Sequence, residues 1–190
     1  MAGPVTVCAL ALPADWKNKT GNKLKDSKKL TIKQREIWLE YINNHSEFFY
    51  EIQSISPKVI DKINISKAAN LAATRAVKKL TINNKRLVKN ISRIFLDGGL
   101  YLNPLVLSHE IVPVWKKAKT VIKGDEKIPA ISLASIVAKV HRDKLMVKMH
   151  KKYPKYGFDR HKGYGTLFHR KAIKNHGRSP IHRLTFLKNL

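Results

Sequence analysis

From Ile131 to about Lys152 the chain has continuous helical character, closed off by Pro129 on one side and Pro154 on the other. Proline lacks the backbone N–H and fixes φ, so it suits the edge of a helix and not its interior. Ser132, Ser135 and Ala138 share one stripe of this long helix, with Leu133, Ile136 and Val140 nearby. Small residues on a stripe let a helix approach a sheet closely. The stripe reads as core, and the helix as one layer of a fold that must also contain strands.

The strands are legible on either side. Val5 to Leu12 is an apolar run ended by Pro13, and Asp15 to Lys25 is a polar loop. Thr31 followed by Gln34 resembles a capping box, which opens a helix from Ile32 to Ile42. Phe48, Tyr50 and Ile52 alternate with Phe49, Glu51 and Gln53, the period of a strand. Ser56-Pro57 suits a short helix start, and Ile65 to Leu80 predicts a helix with Ala69, Ala72 and Ala76 on one face. Short strands at Arg93–Asp97 and Thr120–Ile122 are each followed by glycine. Tyr156 to Gly165 reads as a loop, Thr166 as the cap of a helix that stops at Gly177, and Ser179 to Arg183 as extended. No repeat, low-complexity tract or linker interrupts the 190 residues. The reading is one α/β domain.

Charge narrows the function. Lys and Arg total 38 against 13 Asp and Glu, a formal +25. Such a surplus fits a polyanionic partner, usually a nucleic acid. A coding bias toward Lys and Asn produces the same excess, and the two explanations are compatible. The single cysteine, Cys8, allows neither an internal disulfide nor a Cys-x-x-Cys zinc site, and its apolar surroundings read as core. A cytoplasmic location fits. The apolar stretch Met1–Ala14 has no basic region ahead of it and is too short to span a membrane.

Two acids stand out. Asp97 and Asp125 each lie where a short strand meets glycine, and ligand sites of α/β sheets gather at strand ends. Paired carboxylates there suit Mg²⁺, which takes oxygen ligands. An Asp in a turn that caps its own backbone gives the same pattern. The loop His161-Lys162-Gly163-Tyr164-Gly165-Thr166 sets an aromatic ring between glycines beside a lysine. Rings stack on bases or sugars and lysine neutralises phosphate, although a packing tyrosine in a glycine turn fits equally. Arg142-Asp143 reads as a local ion pair.

Taken together, these segments resemble ribonuclease HII. The matching runs are Asp26-Ser27-Lys28-Lys29-Leu30, Ile60-Asp61-Lys62-Ile63-Asn64-Ile65, Leu96-Asp97-Gly98 and Lys123-Gly124-Asp125. They continue through Ile131 to Asp143, Tyr153-Pro154, Tyr156-Gly157-Phe158, His161 to Thr166 and Ser179-Pro180-Ile181-His182-Arg183. Their order and spacing match from end to end.

The resemblance implies a ribonuclease-H-like fold, a five-stranded mixed sheet flanked by helices. It implies an endonuclease that hydrolyses the RNA strand of RNA–DNA hybrids and incises at ribonucleotides embedded in duplex DNA, with four carboxylates and two divalent ions, Mn²⁺ or Mg²⁺. Asp97 and Asp125 correspond to two of the four. The other two form an Asp-Glu pair in an Asp-Glu-Ala-Gly-Arg-Gly-Pro motif that precedes an Ala-Gly-Pro-Val stretch, here Ala2-Gly3-Pro4-Val5. The expectation is therefore a single domain, residues 1–190, truncated at its N-terminus, lacking its first, central strand and half of its catalytic carboxylates. Glu126 and Glu110 do not match the motif as substitutes. Tyr164 corresponds to the residue that stacks on the sugar at the RNA-to-DNA junction. Lys28, Lys139, Arg142 and Lys162 are candidates for phosphate contact or site support. The resemblance favours a monomer. The rival expectation is a catalytically defective relative that only binds nucleic acid.

Overall fold

The computed structural model describes residues 1–103, 116, 118–188 and 190. Its elements in chain order are β1 (Val5–Ala11), α1 (Ile32–Asn44), β2 (Phe49–Ile55), α2 (Pro57–Ile63), α3 (Ile65–Asn83), α4 (Lys85–Asn90), β3 (Ile94–Asp97), β4 (Ala118–Val121), α5 (Gly124–Lys127), α6 (Pro129–Lys152), α7 (Phe158–His161) and α8 (Leu167–His176).

Local chemistry sets the helix ends. The Thr31 hydroxyl accepts the Gln34 N–H at 3.2 Å while the Gln34 side chain accepts the Thr31 N–H at 2.9 Å, a complete capping box for α1. Asn64, at φ 67°, accepts the Lys67 N–H at 2.9 Å and starts α3. Ala68, Ala72, Ala73 and Ala76 are buried along α3, so its small face lies close against the strands. The Thr166 hydroxyl caps α8, which ends at Gly177.

β1 and β2 pair antiparallel from Val5↔Ile55 to Ala11↔Phe49, and β3 and β4 pair parallel from Ile94↔Ala118 to Asp97↔Val121. Side chains alternate across a strand, and β1 uses both faces. Cys8 and Leu10 meet Trp38 and Ile42 of α1 and Leu133, Ile136, Val137 and Val140 of α6. Val5 and Val7 meet Ile60, Ala68 and Ala72 of α2 and α3. Helices thus cover the two sides of the sheet, the arrangement of a layered α/β fold.

Two expectations change, while the mixed α/β fold holds. Among the described residues the strands form two two-stranded sheets, one antiparallel and one parallel. Side-chain packing joins them: Val7 of β1 and Leu96 of β3 share an apolar cluster with Ala73 and Leu102. The segment Tyr156–Gly165 is not loop throughout. It holds the end of a 3₁₀ turn (Pro154–Tyr156) and then α7, the two separated by Gly157 at φ 67°. Ser179–Arg183 is a turn and not extended, because the His182 N–H folds back to the Ser179 carbonyl at 3.1 Å. Among the described residues no helix is long and apolar enough to cross a membrane.

Candidate active site

Asp97 closes β3, and its position is fixed by backbone donors. One carboxylate oxygen accepts the Gly98 N–H at 2.9 Å and the Gly124 N–H at 3.1 Å. The second bond brings the start of α5 onto the end of β3. A side chain at Gly124 would crowd this junction. A Cβ built on it would stand 2.4 Å from Ile131 Cδ1 and 3.3 Å from the Asp97 carboxylate. Lys123, just before it, adopts a left-handed conformation at φ 54° to turn the chain into α5.

Asp125 follows in the first turn of α5, beyond the end of β4. Partial burial raises its carboxyl above the usual range, and the negative charges of Asp97 and Asp26 raise it further, against the opposing pull of Lys28. The two expected carboxylates therefore share one electrostatic site. Glu126 turns to an ion pair with Lys29, which holds its carboxyl below the usual range. Glu110 lies outside the described residues. Asp26 is the acid that the sequence reading passed over. Its carboxylate accepts the Lys28 N–H at 2.9 Å, and buried Arg35 anchors the same segment by donating to the Ser27 and Leu30 carbonyls at 2.9 and 2.6 Å. The Asp-Ser-Lys run was visible in the sequence; its proximity to Asp125 was not.

Among the described residues no three His, Cys, Asp or Glu side chains gather to hold a metal ion. Asp97 and Asp125 offer hard oxygen donors, Asp26 adds to the same negative field, and the repulsion that adds to the effect of burial on Asp125 is what a divalent cation relieves. The donor set fits such an ion and is sparse for two.

Tyr164 lies on the loop between α7 and α8, with 53% of the residue exposed. Two cations of α6 approach its ring: Lys139 Nζ at 5.4 Å and the Arg142 guanidinium at 5.2 Å from the centroid. Gly163 has φ 82°, and a Cβ on it would strike the Ala2 carbonyl at 2.5 Å, so the turn that presents Tyr164 needs glycine. α6 links this loop to the acids. Ile131, packed at Gly124, and Arg142 fall on one face three turns apart, about 16 Å along the axis.

The basic candidates divide by what they touch. Lys28 is exposed beside Asp125. Lys139 bonds Asp143 at 2.8 Å while lying over Tyr164. Arg142 does not pair with Asp143, which lies instead near Lys139 and Arg35. Its guanidinium donates to the Pro4 and Ala2 carbonyls at 3.1 and 3.3 Å, because the turn of α6 aims it at the N-terminal segment. Lys162 reaches back to the Asp159 carbonyl. Arg183, not singled out as a side chain in the sequence, donates to the Gly3 and Pro4 carbonyls at 2.8 and 3.0 Å.

A layered α/β fold with acids at a strand end and a cation-flanked ring along one helix defines a class of proteins suited to acting on nucleic acid. The family model described as Ribonuclease HII matches residues 1–189. Ribonuclease HII of Pelodictyon phaeoclathratiforme is 39% identical over 189 residues, covering 98% of this chain and 83% of that protein. Ribonuclease HII of Chlamydia pneumoniae is 41% identical over 186 residues, covering 98% of this chain and 77% of that protein. Among solved structures, the PCNA:RNase HII complex from Archaeoglobus fulgidus matches with TM-score 0.61 and 24% identity, over 92% of this chain and 81% of that one. Ribonuclease H2 from Pyrococcus horikoshii OT3 matches with TM-score 0.59 and 22% identity, over 95% of this chain and 93% of that one. The fold is shared with both. The chain belongs to the ribonuclease HII family, a family of nucleases.

Proposed function

We propose that the protein is an endonuclease that hydrolyses the RNA strand of RNA–DNA hybrids and incises at ribonucleotides embedded in duplex DNA, using two divalent ions, Mn²⁺ or Mg²⁺. The observation that carries this reading is the joining of Asp97 to the start of α5, which sets Asp125 in the same electrostatic site. Bound divalent ions would supply an activated water and charge stabilisation at the leaving 3′ oxygen. Asp97 and Asp125 would hold them. Gly98 and Gly124 keep Asp97 aimed by occupying one carboxylate oxygen. Tyr164 stacks on the sugar at the RNA-to-DNA junction, where the 2′-hydroxyl tells RNA from DNA. Lys28 and Lys162 meet phosphate; Lys139 and Arg142 support the ring. The protein works as a single domain, as a monomer, in the cytoplasm.

Residues 1–190 offer two carboxylates where the family pattern uses four. This favours a second reading for these residues alone, a hybrid-binding protein with little activity. Cleavage of a duplex with one embedded ribonucleotide separates the two. A chain carrying the Asp-Glu-Ala-Gly-Arg-Gly-Pro segment ahead of Ala2 should cut in Mn²⁺ or Mg²⁺, and its Asp125→Asn variant should not. Absence of cutting by the former leaves the binding reading.

A further inference from the structure

Behind the Tyr164 loop three imidazoles are buried together: His161, His169 and His182. The rings of His161 and His169 stack with centroids 4.3 Å apart and planes 15° from parallel. Phe158 lies edge-on to both. Neither pairing of Asp97 with α5 nor the cations around Tyr164 uses these rings.

Their hydrogen bonds have one self-consistent direction. The Ser179 N–H points at His182 Nδ1 at 2.8 Å, so that nitrogen accepts and carries no proton. The Ser179 carbonyl is farther from it, at 3.3 Å. Neutral His182 then holds its proton on Nε2, which faces His169 Nε2 at 3.0 Å. His169 Nε2 accepts, which leaves the His169 proton on Nδ1. That Nδ1 faces the Tyr164 carbonyl at 2.8 Å, and a carbonyl can only accept. The Ser179 amide at one end and the Tyr164 carbonyl at the other impose the same polarity independently. His161 is fixed separately: its Nδ1 accepts the Gly163 N–H at 3.1 Å, and its Nε2 donates to the Tyr156 carbonyl at 2.7 Å. Burial holds all three rings below the ordinary imidazole range, which agrees with neutral forms.

We infer that Ser179, His182 and His169 form a neutral hydrogen-bonded chain that positions Tyr164 for substrate through its backbone carbonyl, with His169 as the positioning residue. The inference rests on the reading that Tyr164 meets the junction sugar. The Tyr164 N–H also bonds the His161 carbonyl at 2.9 Å, and its carbonyl accepts the Thr166 N–H at 2.9 Å. The backbone of Tyr164 is therefore held on every polar atom while its ring stays exposed. Loss of the His169 donor releases the bond by which the imidazole chain ties this turn to the tail at Ser179.

Two measurements test this. Nitrogen-15 histidine spectra of the unaltered protein at pH 7 should show His169 protonated at Nδ1 with bare Nε2, and His182 protonated at Nε2. A His169 proton on Nε2, or a charged His169, overturns the chain. Steady-state cleavage at an embedded ribonucleotide, in the chain carrying the Asp-Glu-Ala-Gly-Arg-Gly-Pro segment, tests the consequence. His169→Leu should lower kcat about tenfold with KM little changed. His169→Asn, whose amide N–H replaces Nδ1–H, should recover most of the loss. In a Tyr164→Ala background His169→Leu should cost nothing more. An equal loss in that background overturns positioning alone, whereas Tyr164→Ala cutting like the parent overturns the role of Tyr164 and the inference with it. If His169→Leu does not fold, the spectra of the unaltered protein still decide.

Discussion

Acidification should loosen this fold well before its carboxylates protonate, and His169 is one cause. Its ring is fully buried, and burial pushes it from the usual 6.5 down to about 4. A base whose titration is depressed by folding binds protons more readily in the unfolded chain. Its contribution to stability is therefore complete above pH 6.5 and disappears as the pH falls toward 4. At pH 5 the ring is almost wholly charged in the unfolded chain and about one-tenth charged in the folded one. Relative to pH 7 this weakens folding by about 2 kcal/mol. His161 and His182 are shifted the same way and add to the loss. Asp61, held below its usual range by bonds from Leu184 and Thr185, acts in the same direction but titrates at lower pH. The window from pH 7 to 5 thus reports the imidazoles together with the Met1 amino group, which burial lowers from 8.0 to about 5. Urea unfolding followed by circular dichroism should show the midpoint falling by at least about 1 M across that window, taking a slope of about 2 kcal/mol per molar. His169→Gln should lose the 2 kcal/mol part of the dependence. Equal midpoints at pH 7 and pH 5 would refute the reasoning.

Other predictions follow from the site. Tyr164→Ala, in a chain that cuts, should reduce cleavage at a single embedded ribonucleotide more than it reduces duplex binding; equal losses, measured by cleavage rates and anisotropy, would mean the ring only packs. Gly124→Ala should destabilise the fold by about 1–3 kcal/mol and weaken cleavage, because the new Cβ overlaps Ile131 and crowds the Asp97 carboxylate; unchanged thermal unfolding would contradict this. Hybrid binding should fall by about a thousandfold or more between 50 and 200 mM salt if six or more phosphates are contacted; a flat response would mean that the +25 charge is compositional.

Much of the architecture was legible because it is encoded locally. The Thr31–Gln34 capping box, Pro129 at the start of α6 and the Gly177 stop of α8 each announce a helix end in the sequence. The alternation around Tyr50 announces β2. Contacts between distant segments were not legible. Arg142 and Asp143 are adjacent in sequence but point to different partners on α6, one to the Pro4 carbonyl and the other to Lys139 and Arg35. The extended reading of Ser179–Arg183 failed because His182 is pulled inward to His169, a partner thirteen residues away. Of the candidate site, glycines beside Asp97 and Asp125 hinted at a shared location, while Asp26 could be placed near Asp125 only by the fold.

The most direct test of the account compares cleavage of a duplex with one embedded ribonucleotide by two chains at matched folded concentration. One is residues 1–190 alone; the other adds the Asp-Glu-Ala-Gly-Arg-Gly-Pro segment ahead of Ala2. Two divalent ions bring four positive charges into a site where Asp97 and Asp125 supply two negative ones within a basic surface. The account predicts Mn²⁺- or Mg²⁺-dependent cutting by the longer chain, lost in its Asp125→Asn variant, and little or none by residues 1–190. Robust metal-dependent cutting by residues 1–190, or by the Asp125→Asn variant, would contradict it.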